Sequence, residues 1–145
     1  MKVLSQTSVY AIRAALFVAS MDDAEKYVPT HEISSRLKIS FHFLTKILQV
    51  LTRHNIMVSH RGPNGGVSLA RPARDITLME MIGVIEPDGF FEGCVLGLPG
   101  CGTERPCPLH EKWGEARDKI RCVFEDTNLA ELGRRIKEDG LRLTM

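Results

Sequence analysis

Apolar positions follow a helical period at the start of the chain, alternate briefly in its middle, and return to helical spacing near its end. Val9, Ile12, Leu16 and Ala19 predict an amphipathic helix over residues 5–21, with Ser5 or Thr7 as its cap. Beyond the polar stretch Met21–Tyr27, Thr30 is placed to cap a short helix carrying Ile33 and Leu37. Ser40 is placed to cap a second, whose buried side is Leu44, Ile47, Leu48 and Leu51. Only Lys38 and Ile39 separate the first of these from the Ser40 cap, which is the helix-turn-helix pattern. Two strand-like runs follow, Ile56–His60 and Val67–Ala70, around Arg61-Gly62-Pro63-Asn64-Gly65-Gly66. Asn-Gly beside Pro signals a hairpin turn, because Asn and Gly tolerate positive φ. A helix-turn-helix running straight into such a hairpin predicts a winged helix, closed by Pro72 and Asp75.

The pattern then breaks. Thr77-x-x-Glu80 reads as a capping box for a helix to about Ile85, after which Glu86–Pro108 carries five Gly, several Pro and no periodicity. A loop of that length cannot order itself by burial and needs another organiser. Three of the four cysteines lie in it, and all four fall between Cys94 and Cys122. In a reducing compartment such a cluster points to a metal or redox site rather than a disulfide scaffold. From Leu109 helical spacing resumes: Leu109, Trp113, Ala116, Ile120 and Val123 form a short heptad seam, suited to a dimerisation helix or to packing on its own domain. Asn128-x-x-Glu131 opens a final helix ending near Gly140.

The 145 residues suffice for one packed core, with 43% apolar and 26% charged positions. The longest uncharged run, residues 93–103, is too short and too rich in Gly and Pro to span a bilayer, and Arg13 interrupts any signal-peptide core. A soluble, cytoplasmic protein is expected. The net charge of +1 conceals an asymmetry: residues 1–74 hold ten Lys and Arg against four Asp and Glu, and the remainder nine against fourteen. A basic front half suits a polyanion. No glycine-rich substrate loop follows a strand and no carboxylate pair sits on a matching scaffold, so no enzyme is expected.

The run Ile39-Ser40 through Phe43-Leu44, Lys46-Ile47-Leu48, the wing 61–66, Leu69-Ala70-Arg71-Pro72, Ile76-Thr77-Leu78 and Cys107-Pro108-Leu109-His110 with Trp113 resemble the bacterial IscR-type family of winged-helix regulators. That family includes the nitric-oxide sensor NsrR and the cysteine-metabolism repressor CymR. The resemblance covers nearly the whole chain. It implies a mainly α fold: a winged helix-turn-helix with a β-hairpin wing plus a long dimerisation helix. Residues 1–75 would be the DNA-binding region (helix-turn-helix about 28–53, wing about 56–70), 76–108 the short helix and cluster loop, and 109–145 the dimerisation and C-terminal helices. It also implies a homodimer on double-stranded palindromic DNA.

On the second helix of the motif, His42, Thr45, Lys46, Gln49 and Arg53 point away from the apolar side. His42, Thr45 and Lys46 lie nearest the end that meets base edges. Ser40 and Asn64 complete the candidate DNA face, and the resemblance implies that Arg61 enters a narrow minor groove. Where IscR-like proteins often carry a glutamate, this chain has Thr45, which lacks the charge. The resemblance further implies that Cys94, Cys101, Cys107 and His110 ligate an iron–sulfur cluster, 2Fe–2S in the usual form with 4Fe–4S as the variant. The gap from Cys94 to Cys101 is one residue longer than usual. Zinc and unligated thiols are the competing readings. Ser8 falls where a related nitric-oxide sensor takes a carboxylate from the partner's N-terminal helix; a serine is a poor iron ligand, which argues against that variant, and Glu104 is a conceivable substitute. Cys122 is expected to be a partly buried structural thiol.

Overall fold

A computed structural model describes residues 3–21, 26–86, 89 and 91–144. Parts of the Met21–Tyr27 stretch and of the cysteine loop (22–25, 87, 88 and 90) lie outside the described residues. The order is α1 (Gln6–Ala19), α2 (Thr30–Leu37), α3 (Phe41–Arg53), β1 (Met57–His60), β2 (Gly66–Leu69), a 3-10 turn at Ala73–Asp75, α4 (Leu78–Ile85), α5 (His110–Asp126) and α6 (Leu129–Glu138). The predicted winged helix is present, with element ends shifted by a residue or two.

The face of α1 that meets the core differs from the predicted one. Val9, Ile12 and Ala19 are only half-buried, whereas Ser8, Ala11, Ala14, Ala15, Phe17 and Val18 are buried along with Leu16. Four helices, α2, α3, α4 and α6, pack on α1. Small side chains let their backbones approach, so spacing of the bulky residues misses the contact face. Gly133 of α6 does the same from the other side: a Cβ there would stand 2.9 Å from the Ala19 carbonyl. The starts of α4 and α6 are also joined, with Leu78 N–H donating to Thr127 O at 3.0 Å and Leu129 N–H to Ile76 O at 3.0 Å. Their caps lie side by side, Thr77 accepting from Glu80 N–H and Asn128 from Glu131 N–H. The capping box is half made, because the Glu80 carboxylate pairs with Arg71 instead.

Between α2 and α3, Lys38 takes a left-handed conformation (φ 54°) while Ile39 buries its side chain. Ser34 holds the turn from both sides: its carbonyl accepts from Ile39 N–H at 3.1 Å and its hydroxyl donates to Ile39 O at 2.6 Å. Arg13 of α1 adds a bond to the Leu37 carbonyl at 3.1 Å, fixing α2 to the helix behind it. Pro29, not Thr30, occupies the position before α2; Thr30 is already helical.

β1 and β2 pair antiparallel, Met57 opposite Leu69 and His60 opposite Gly66. Val28 adds a third rung, exchanging bonds with Val67 at 2.8 and 2.9 Å. Gly66, at φ 152°, permits this, since a Cβ there would lie 2.2 Å from the Val28 carbonyl oxygen. The wing turn departs from expectation: Gly62 and Gly66, not Asn64, take positive φ. Gly65 N–H donates to Gly62 O at 2.9 Å, so Pro63 and Asn64 fill the middle of an ordinary four-residue turn that needs negative φ at Pro63.

Candidate DNA-reading face and cysteine centre

The apolar side of α3 (Leu44, Ile47, Leu48, Leu51) is buried as predicted. The opposite side leaves His42, Lys46, Gln49 and Arg53 exposed and Thr45 half-buried. Ser40 precedes the helix and bonds it through its backbone, its carbonyl accepting from Leu44 N–H at 2.8 Å; its side chain makes no cap bond. The Thr45 hydroxyl donates back to the Phe41 carbonyl at 2.8 Å. Wing and helix meet over a groove of about 520 Å³ lined by Thr45, Gln49 and Arg53 on one side and His60 and Arg61 on the other. Tyr27 packs against the ring of His60 (centroids 5.0 Å apart), where β1 leads into the wing turn. Asn64 is exposed at the wing tip, away from this groove's lining. Sequence reasoning passed over Phe41, the first residue of α3, which is 55% exposed. Its signal was present: an aromatic one position ahead of the predicted base-reading residues.

The second centre gathers at the start of α5. Cys94 Sγ lies 3.9 Å from Cys107 Sγ, and Cys101 Sγ lies 3.8 Å from His110 Nδ1. All four side chains are partly exposed. The Leu98 and Leu96 backbone N–H groups, aimed at Cys94, pull its thiol below the ordinary range. Burial and the neighbouring Cys94 push the Cys101 thiol up, with Arg117 opposing them. His110 N–H bonds Cys107 O at 3.0 Å, and the Trp113 indole donates to Gly93 O at 3.3 Å, so both ends of the loop are tied to α5. Arg121 lies over the Phe91 ring at 5.6 Å, one turn beyond Arg117. Among the described residues no three His, Cys, Asp or Glu side chains gather as the ligand set of a single ion.

One expectation for this half changes, and two others gain detail. Cys122 is exposed rather than partly buried, because it lies on the side of α5 opposite Arg121 and Phe124. Ser8 is 1% exposed and its hydroxyl donates to Glu86 of its own chain at 2.5 Å, so it is not presented to a neighbouring subunit. Partial burial pushes the Glu86 carboxyl up, but the Ser8 hydroxyl and the Ser5 side chain and N–H outweigh it and hold it below the usual range. The seam splits: Leu109 (42%), Ala116 and Val123 (60%) are exposed, while Trp113 and Ile120 are half-buried. Glu104 is exposed in the loop.

A winged helix joined to a paired-thiol loop is what a comparison with known proteins can place. Residues 4–135 match the model of the Rrf2 family, described as an iron-dependent transcriptional regulator. The chain belongs to the Rrf2 family. It is 31% identical to the HTH-type transcriptional regulator IscR of Photorhabdus laumondii over 129 residues, 89% of this chain and 77% of that one. It is 30% identical to IscR of Escherichia coli O1:K1 over 129 residues, covering 89% and 78% of the two chains. Among solved structures, T. potens IscR superposes with a TM-score of 0.77 at 24% identity, over 98% of this chain and 93% of that one. CymR, the global cysteine regulator of B. subtilis, superposes with a TM-score of 0.73 at 24% identity, over 92% and 97%. This Rrf2 protein is therefore a DNA-binding transcriptional regulator with the IscR-like winged-helix fold, not an enzyme. No helix among the described residues is long and apolar enough to cross a membrane.

Proposed function

We propose that this Rrf2 protein is a cytoplasmic homodimer whose hold on a palindromic operator depends on an iron–sulfur cluster, 2Fe–2S in its simplest form, bound by Cys94, Cys101, Cys107 and His110. The pairing of these donors, at 3.9 and 3.8 Å, carries the reading. Two ligands of one tetrahedral metal with bonds of about 2.3 Å stand about 3.8 Å apart. Two such pairs suit two irons with two protein ligands each, and suit a single zinc ion less. When bound, such a cluster supplies a one-electron couple and a sensitivity to oxidants, and the histidine makes it less negative.

The chain's own residues supply the coupling. His110 opens α5, Trp113 holds the loop's start through Gly93, and Arg117 sets positive charge beside Cys101. Closure of the loop on four donors thus acts on the first two turns of α5. Leu109, Ala116 and Val123 form an exposed strip that a twofold-related α5 would cover. The tilt of α5 would set the spacing of two recognition helices, so a held and a released loop favour different dimer geometries. Residues 1–75 would read DNA through Ser40, His42, Thr45, Lys46, Arg61 and Asn64, with 76–108 as the cluster region and 109–145 as the dimer region.

Visible absorbance and iron content of anaerobically purified protein test this: colour in the parent and in Cys122→Ala, none in Cys101→Ala. The Cys94–Cys107 separation favours one second reading, regulation by thiol oxidation. A colourless protein whose DNA affinity changes with oxidant would support that instead.

A further inference from the structure

We propose that Phe41 and Thr45 read the C5-methyl group of a thymine in the major groove; this rests on α3 being the DNA-reading helix. Every other large apolar side chain of α3 except Phe43 and Val50, which are half-buried, is buried. Phe41 alone stands 55% exposed, at the helix end that enters the groove. Thr45 lies one turn on, and positions four apart are neighbours on a helix surface. Its hydroxyl proton is committed to the Phe41 carbonyl at 2.8 Å, which leaves its methyl group and an acceptor for DNA. Ring and methyl therefore make an apolar strip, bordered by exposed His42 and Lys46 and by the groove holding Gln49, Arg53 and Arg61.

Base edges in the major groove are donors and acceptors, with one apolar feature: the thymine methyl. A phenyl ring set against any other edge would leave a polar group buried without a partner. The cationic neighbours would hold the backbone while the strip selects the base.

The test begins with duplexes selected from a randomised library by the parent protein. Each thymine of the selected site is then replaced singly by deoxyuridine, which removes only the methyl. At one thymine, or at it and its symmetry mate, the Kd should rise about fourfold, the worth of one buried methyl. That penalty should vanish in Phe41→Ser and in Thr45→Ser, and persist in Phe41→Leu. All three variants should keep the parent's melting temperature and iron content. A parent indifferent to every uracil replacement, or a penalty unchanged in Phe41→Ser, overturns the assignment. Failure to select any site would instead contradict the DNA-reading role of α3 itself.

Discussion

In α3, a helix of 13 residues, four large apolar side chains are buried; in α5, with 17, none is. The winged helix is closed by a core that α4 and α6 also join, in which Ile33, Leu37, Leu44, Leu51, Ile56 and Ile76 are almost fully inaccessible. The second half has paired sulfurs, an indole bond, two arginines folded over the loop and an exposed strip on α5. Burial suffices to specify the first half. The second half is built as though two further components complete it, one held by the thiols and one laid along α5.

The comparison is sharpest if the sensor can be emptied while the wing stays intact. Cys94→Ala, Cys101→Ala and Cys107→Ala should each abolish the visible chromophore, and Cys122→Ala should leave it. The helical circular dichroism of the front half should survive in all four. Iron content in Cys101→Ala equal to that of the parent would break the ligand assignment.

The second component is tested by Val123→Asp, on the exposed strip of α5. An unpaired charge buried between two such strips costs several kcal/mol, so sedimentation should show monomer, with reduced cluster retention because the loop adjoins the same helix. A dimeric, loaded Val123→Asp protein would put the interface elsewhere. Conversely, Gly66→Ala strikes only the front half. Its Cβ would meet the Val28 carbonyl, so the third rung should open at a cost of about 1–3 kcal/mol, read by thermal melting, with iron content unchanged.

Smaller effects probe the reading face. Lys46→Ala and Arg61→Ala should weaken DNA binding without altering iron. A lost phosphate contact lowers the salt slope by about one, and a lost base contact costs about 1–3 kcal/mol. The smallest change expected is Glu86→Gln, at the joint between the halves. A carboxyl held below its ordinary 4.5 contributes stability that is present above that pH and lost as the pH falls through its folded value. The variant should therefore melt lower than the parent at neutral pH, with the gap closing in acid below 4.5.

What the sequence made legible follows the same division. Leu44, Ile47, Leu48 and Leu51 announced α3, and Thr77 and Asn128 announced the caps of α4 and α6, because period and capping chemistry are local. The period of bulky residues misses the inner face of α1, since close approach to Gly133 and to three other helices selects small residues there. The Ser8–Glu86 bond joins positions far apart in sequence, and no local pattern signals it. The spacing of Cys94, Cys101, Cys107 and His110 is plain in the sequence, but their division into a Cys94–Cys107 pair and a Cys101–His110 pair depends on how the loop folds over α5. The seam positions near Cys122 do not fix its burial, because adjacent positions on a helix face different ways.

Control of the DNA-reading half by the loop on α5 can be measured by titrating one selected duplex with cluster-loaded protein and with the same preparation after chelation of its iron, under identical anaerobic conditions and salt. The two titrations should give different affinities, and Cys101→Ala should match the iron-free protein. Equal affinities for loaded and iron-free protein would contradict control of DNA binding by the cysteine centre.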